Sequence, residues 1–91
     1  MIEPDTVLRR ADDVRHRLVR DEGVVVRQRT AEALVVSEVG ARLLDLIDGR
    51  RSVAEILRLL EAEYDVTPEA LERDVTSYLG EILAIGLVEP L

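Results

Sequence analysis

Glu32-Ala33-Leu34-Val35-Val36-Ser37 is the stretch whose reading decides the fold. It is uncharged after Glu32 and rich in β-branched residues, which favours a strand. Ser37 closes it and opens a helical pattern from Val39 to Ile47. Before this strand the chain reads as β-hairpin, and after it as helix. As the last strand of a small meander, it would have one edge with no partner in the chain.

Upstream, Val14 to Arg20 alternates. Val14, His16 and Leu18 share one face, and Arg15, Arg17 and Val19 the other, which predicts a half-buried strand. Asp21-Glu22-Gly23 reads as a turn, with Gly23 available for positive φ. Val24 to Arg29 predicts a second strand, with Val24 and Val26 on one face and Val25, Arg27 and Arg29 on the other. Thr30-Ala31-Glu32 turns the chain again. Two short turns in succession imply an antiparallel meander, which leaves residues 32–37 at an edge. Residues 1–13 carry no strong pattern and are expected to be loosely ordered, with Val7 and Leu8 available to pack on the body.

Downstream, the first helix is expected from about Glu38 to Asp48, with Ser37 as its N-cap and Gly49 as the left-handed residue past its end. Leu43, Leu44 and Ile47 form its inward stripe, with Gly40 one turn earlier. Ser52-Val53-Ala54-Glu55 is a capping box that starts a second helix, whose apolar positions are Val53, Ile56, Leu57, Leu60 and Tyr64. Thr67-Pro68 starts the third, with proline at the first helical position. That helix runs to about Ile85 and stops at Gly86. Leu71, Val75, Tyr78, Ile82 and Ile85 lie on one line along it, widened by Leu79 and Leu83. Leu87-Val88 reads as a short extended piece ended by Pro90. A small sheet followed by three helices is an α+β arrangement of the winged helix-turn-helix kind.

Composition narrows the function. Ninety-one residues make one domain, expected to span 1–91. Tyr64 and Tyr78 are the only aromatics, so the core must be aliphatic. No cysteine is present, which removes disulfides and thiolate chemistry and fits a reducing compartment. No apolar run approaches the ~18 residues that span a bilayer. The acidic start, Met1-Ile2-Glu3-Pro4-Asp5, lacks a hydrophobic signal core, and a cytoplasmic protein is expected. The net charge of −7 is uneven. Residues 1–51 hold ten acids and ten arginines, while residues 52–91 hold nine acids and only Arg58 and Arg73. So acidic a helical half repels phosphate backbones and suits a basic peptide or protein better.

A catalytic constellation is not visible, and no enzyme is expected. His16 is the only histidine and cannot build a metal site alone. Ser52 is explained as a cap. The five glycines are scattered and make no phosphate-binding loop. No cofactor is expected. The winged-helix shape raises DNA binding as a rival, but residues 68–85 set Arg73 against Glu69, Glu72, Asp74 and Glu81, whereas a recognition helix would carry cations. A self-associating docking domain, pairing its open strand edge with a second copy as a homodimer, is the other alternative.

Three segments carry a family resemblance: Val36-Ser37-Glu38-Val39-Gly40-Ala41-Arg42-Leu43-Leu44, then Asp48-Gly49-Arg50-Arg51-Ser52-Val53-Ala54-Glu55-Ile56, then Asp74-Val75 with Gly86-Leu87-Val88. Together they resemble the PqqD-like family, over roughly residues 14–89. That family includes the pyrroloquinoline quinone biosynthesis protein D and the recognition elements of ribosomally synthesised, post-translationally modified peptide (RiPP) pathways. The Asp-Gly-x-x-Ser-Val-x-Glu-Ile segment is the most specific part. Where the family usually has Leu-Asn-Glu, this chain has Val36-Ser37-Glu38, and serine caps a helix as asparagine does.

The resemblance implies binding of the leader segment of a precursor peptide as an added antiparallel strand, with no catalysis by the domain itself. The strand contacts would fall on Ala33, Leu34, Val35, Val36 and Ser37, and the helix wall on Leu71, Asp74, Val75, Tyr78 and Ile82. Asp74 would accept a hydrogen bond or pair with a basic leader residue, against its plain reading as a solvated acid. Tyr78 would stack on a leader side chain, against its plain reading as a core aromatic. Arg27 and Arg29 are candidates to meet acidic leader residues, against the plain reading of solvent-facing strand arginines. The implied partners are the precursor peptide and a modifying enzyme such as a leader peptidase, a cyclase or a radical enzyme, in a lasso-peptide or other RiPP pathway or in the quinone pathway. Neither nucleic acid nor membrane is expected as a partner.

Overall fold

The structure, a computed structural model, describes residues 2–91. Three strands form an antiparallel meander: β2 (Val14–Val19), β3 (Glu22–Arg27) and β4 (Glu32–Ser37), in that spatial order. Three helices follow: α1 (Glu38–Leu46), α2 (Val53–Glu63) and α3 (Pro68–Ala84). A second, two-stranded sheet pairs β1 (Leu8–Arg10) with β5 (Val88–Pro90). The α+β, winged-helix-like plan expected from the pattern is present, with this terminal strand pair added.

The N-terminal segment departs from the expected loose order. Leu8 is fully buried, and β1 holds β5 in register from Leu8↔Pro90 to Arg10↔Val88. Backbone bonds from Val53 N–H to Thr6 C=O and from Gly49 N–H to Leu8 C=O, both 2.9 Å, tie the same stretch to the α1–α2 connection. No local pattern announces such a strand, because its partner lies eighty residues away.

The first hairpin turns earlier than expected. Its loop is Arg20-Asp21, with Arg20 at φ 58°, and Gly23 lies inside β3. Gly23 is glycine for space: a Cβ there would sit 2.6 Å from both the Ala41 Cβ and the Val36 Cγ2. Similarly, β3 ends at Arg27, and the second connection spans residues 28–31 with Ala31 at φ 58°. Helix α1 stops at Leu46, two residues short of Asp48. The Asp48 carboxylate accepts the N–H groups of Arg50 and Arg51, both at 2.9 Å, so it organises the turn instead of extending the helix. The capping box at Ser52 and Glu55 and the Thr67-Pro68 start of α3 form as expected.

The core is aliphatic. Val25 from β3, Leu43, Leu44 and Ile47 from the α1 region, Ile56 and Leu60 from α2, and Leu71, Val75, Leu79 and Ile82 from α3 pack with Leu8, Leu87 and Val88. The buried line of α3 is Leu71, Val75, Leu79 and Ile82, not the expected line through Tyr78 to Ile85: Tyr78 is half-buried at its margin and Ile85 is 49% exposed. Arg27 is no free strand arginine either. It reaches from β3 and donates Nη1 to the Ile85 carbonyl at the end of α3, where a cation meets the helix's negative pole.

Candidate functional site

The site begins with the open edge of β4. Residues of an antiparallel strand alternately direct their N–H and C=O groups to one neighbour and then to the other. Just past β3, the Gln28 N–H donates at 2.8 Å to Asp13 C=O, beside the start of β2. Even-numbered residues of β3 therefore address β2, and Gly23, Val25 and Arg27 address β4. Their partners in β4 are Val36, Leu34 and Glu32. The backbone groups of Ala33, Val35 and Ser37 consequently point to the open side, where no strand of the described residues pairs with them. Side chains follow the same alternation. Leu34 and Val36 turn inward and pack on the core, while Ala33 and Val35 turn outward.

Beside the end of β4 lies an apolar groove of about 390 Å³. Its floor is the first turns of α1, at Gly40 and Leu43. One wall is α3, at Leu71, Asp74, Val75 and Tyr78, and the other is Tyr64 and Val66 from the end of α2 and the connection to α3. Ser37 joins edge and groove: its Oγ accepts the Gly40 N–H at 3.1 Å as the N-cap of α1. Gly40 keeps the floor open, because a Cβ there would lie 3.1 Å from the Tyr78 Oη and 3.2 Å from its Cζ.

Few polar groups enter this groove. The Tyr78 hydroxyl is buried and has no hydrogen-bond partner among the described residues. Burial, and behind it the Glu81 carboxylate, pushes the Tyr78 phenol above its ordinary pKa. Burial does the same at Tyr64, helped by Glu38 and Glu63. Asp74 stands at the rim, largely exposed, with Arg73 Nε 3.7 Å away. The wall that carries Tyr64 is anchored from outside: Arg42 holds Glu63 through two bonds of 2.8 and 2.9 Å, and reaches Asp45, which bonds His16 Nε2 at 2.6 Å. The Arg42 bond keeps the Glu63 carboxyl below the usual glutamate range. His16 thus serves a cross-link between β2 and α1, and no group of three metal-ligating side chains converges among the described residues.

Of the ten residues expected at a binding site, Ala33, Val35 and Ser37 define the open edge, and Ser37, Leu71, Asp74, Val75 and Tyr78 line the groove. Leu34 and Val36 lie on the edge strand but face the core. Ile82 does not line the groove: it is only 2% exposed, one turn farther along α3 and inside the core. Tyr64, Val66, Val39, Gly40, Leu43 and Ala70 complete the lining and lie outside those ten. Two signals pointed to part of this set. The two tyrosines are the only aromatics, and an isolated glycine inside a helix normally has a packing reason.

Known proteins share this architecture. A solved structure described as TbiB1 in complex with the TbiA(beta) leader peptide superposes with a TM-score of 0.76 at 27% identity, covering 89% of this chain and 94% of that one. A second, described as lasso peptide synthetase B1 complexed with the leader peptide, superposes with a TM-score of 0.75 over 91% of this chain and 98% of that one; at 19% identity it speaks for the fold. In sequence, the chain is 36% identical over 73 residues to a Gluconobacter oxydans protein named PqqA binding protein, covering 80% of this chain and 74% of that protein. Residues 22–88, from the second strand of the meander to the last strand of the fold, match the family model described as coenzyme PQQ synthesis protein D, and the chain belongs to this PqqD family.

Proposed function

We propose that this chain is a non-catalytic adaptor that binds the leader segment of a ribosomally made precursor peptide and presents it to a modifying enzyme. One observation carries the reading: the unpaired edge of β4 runs directly into an apolar groove against α3. An extended peptide added at that edge meets the main-chain groups of Ala33, Val35 and Ser37. Its alternate side chains then reach the groove between Gly40, Tyr64, Leu71, Val75 and Tyr78. Main-chain bonds supply sequence-tolerant affinity at ~1 kcal/mol each. A handful of them with two or three buried side chains reaches ~8 kcal/mol, which is micromolar binding. Asp74, exposed at the rim, is placed to pair with a basic leader residue.

The leader-bound state of the 27%-identical neighbour and the name of the Gluconobacter relative support the same reading. Residues 1–91 act as a single binding domain in the cytoplasm, without a cofactor. Holding the precursor raises its concentration at the enzyme, a leader peptidase, cyclase or radical enzyme, and the adaptor itself breaks no bond. The test is a fluorescence-anisotropy titration of the whole chain with the labelled leader half of the precursor encoded beside it, and separately with its core half. Saturable binding of the leader half alone is expected. Equal binding of both halves, or of neither, would remove the assignment.

A further inference from the structure

The two faces of the meander are treated differently. Helix α1 covers the inner face. On the outer face the register lines up three rows: Arg15–Val26–Ala33, Arg17–Val24–Val35 and Val19–Glu22–Ser37. The rows make a strip of valines with arginines along its β2 side. Val35 is 70% exposed and Val19 42% exposed. Scattered surface valines are ordinary, but a contiguous apolar strip rimmed by charge marks an interaction site.

The arginines sharpen the point. In a chain of net charge −7, Arg15, Arg17, Arg20 and Arg29 all lie on the meander and none has a carboxylate within ion-pair distance among the described residues. Arg15 donates only to the carbonyls of Asp12 and Val14. We infer that this outer face is a second docking surface, and that its occupant is the enzyme that modifies the bound precursor, engaged through an apolar patch edged with carboxylates. A second copy of the chain fits less well. It would offer the same arginines and, in these rows, only Glu22 to meet them.

The inference rests on the leader-binding reading for its choice of partner. A leader strand added to β4 continues the rows, so its outward side chains lie next to Ala33 and Val35 on this same face. A protein seated there touches adaptor and peptide together, and recognises the loaded adaptor over the empty one.

The test uses the full chain with Arg15→Glu/Arg17→Glu, and the milder Arg15→Gln/Arg17→Gln as a second variant that keeps the sheet free of new acids. Leader affinity is read by anisotropy. Affinity for the peptide-modifying enzyme encoded beside the chain is read with and without saturating leader, along with the mass of the chain alone. Leader affinity is expected to stay within about twofold, while enzyme affinity falls about tenfold in the Glu variant and less in the Gln variant. Wild-type enzyme affinity should also weaken from about 50 to about 500 mM salt. Enzyme binding indifferent to both variants, or absent in the wild type with leader bound, overturns the inference. A concentration-dependent doubling of mass that the Glu variant abolishes overturns it too, by making the occupant a second copy. If no leader binds while the enzyme still docks through Arg15 and Arg17, the docking surface is supported and only the leader reading falls.

Discussion

Val35→Pro separates the binding edge from the fold. The Val35 side chain is 70% exposed on the outer face, so its loss removes little buried surface. Its N–H points to the open side of β4, so the sheet loses no ladder bond. Proline holds φ near −65° and keeps the preceding residue extended, which Leu34 already is. Stability should therefore change by no more than ~1 kcal/mol, as at other exposed sites. Leader binding loses more. The missing donor removes one bond of ~1 kcal/mol, and the ring occupies the line of approach, so at least the neighbouring bond is lost as well. A loss of about 2–3 kcal/mol is a Kd weakened by roughly 30- to 150-fold. Leu34→Pro is the matched control: the Leu34 N–H addresses β3, and that variant should lose the fold's stability before its binding can be read. Leader anisotropy and a thermal melt on both variants decide the matter. A Val35→Pro variant that binds leader within about twofold of wild type would refute strand addition at this edge. One that melts as early as Leu34→Pro would refute the assigned direction of the backbone groups.

Gly40→Ala gains up to ~1 kcal/mol of helix propensity but brings a Cβ to 3.1 Å from Tyr78. The ring must shift by a few tenths of an ångström, which reshapes the groove wall it forms, so leader affinity should fall several-fold with the melting temperature unchanged or raised. Equal affinity would place the bound side chains elsewhere. Gly23→Ala meets Ala41 and Val36 at 2.6 Å with no flexible chain end to yield, so it should destabilise by about 1–3 kcal/mol in urea unfolding. A neutral result would mean that β3 and α1 are not so closely apposed. Acid should also weaken the fold. The backbone N–H groups of Arg51 and Arg50 lower the Asp48 carboxyl, Ser52 lowers Glu55, and Arg42 lowers Glu63. Each folded-state value lies below its unfolded one, so these contributions are complete above about 4.5 and drain away as the pH falls through the folded-state values. Glu55→Gln should show a shallower loss of stability between pH 5 and pH 3 than wild type, and parallel curves would contradict the capping-box origin.

Much of this architecture was legible because its signals are local. The β-branched run of residues 32–37, the capping box at Ser52 and Glu55, and the Thr67-Pro68 start each declare an element within a few residues. The misses are places where a distant neighbour decides. Gly23 has the look of a turn residue, yet Ala41 of α1, packed on the sheet, keeps it small, while the left-handed turn positions fall on Arg20 and Ala31, which give no sign of it. The β1 strand exists through its pairing with β5. Along α3, the spacing alone cannot say which of two adjacent lines faces the core: the expected line runs through Tyr78 and Ile85 with Leu79 at its side, whereas Leu79 is buried and Ile85 is 49% exposed. For the same reason the groove was half visible. Its α3 wall follows from periodicity and family resemblance, but Tyr64 and Val66 join it only because the end of α2 and the following connection fold back beside α1.

The proposed leader site is the β4 edge together with the adjoining groove. A backbone amide NMR titration of the whole chain with the leader half of its precursor addresses it residue by residue. The shifts should concentrate at Ala33, Val35, Ser37 and Gly40 and along α3 from Leu71 to Tyr78, with the outer-face residues Arg15 and Arg17 little changed. Shifts confined to β2 or to the β1–β5 pair, or no shifts at high peptide concentration, would contradict it.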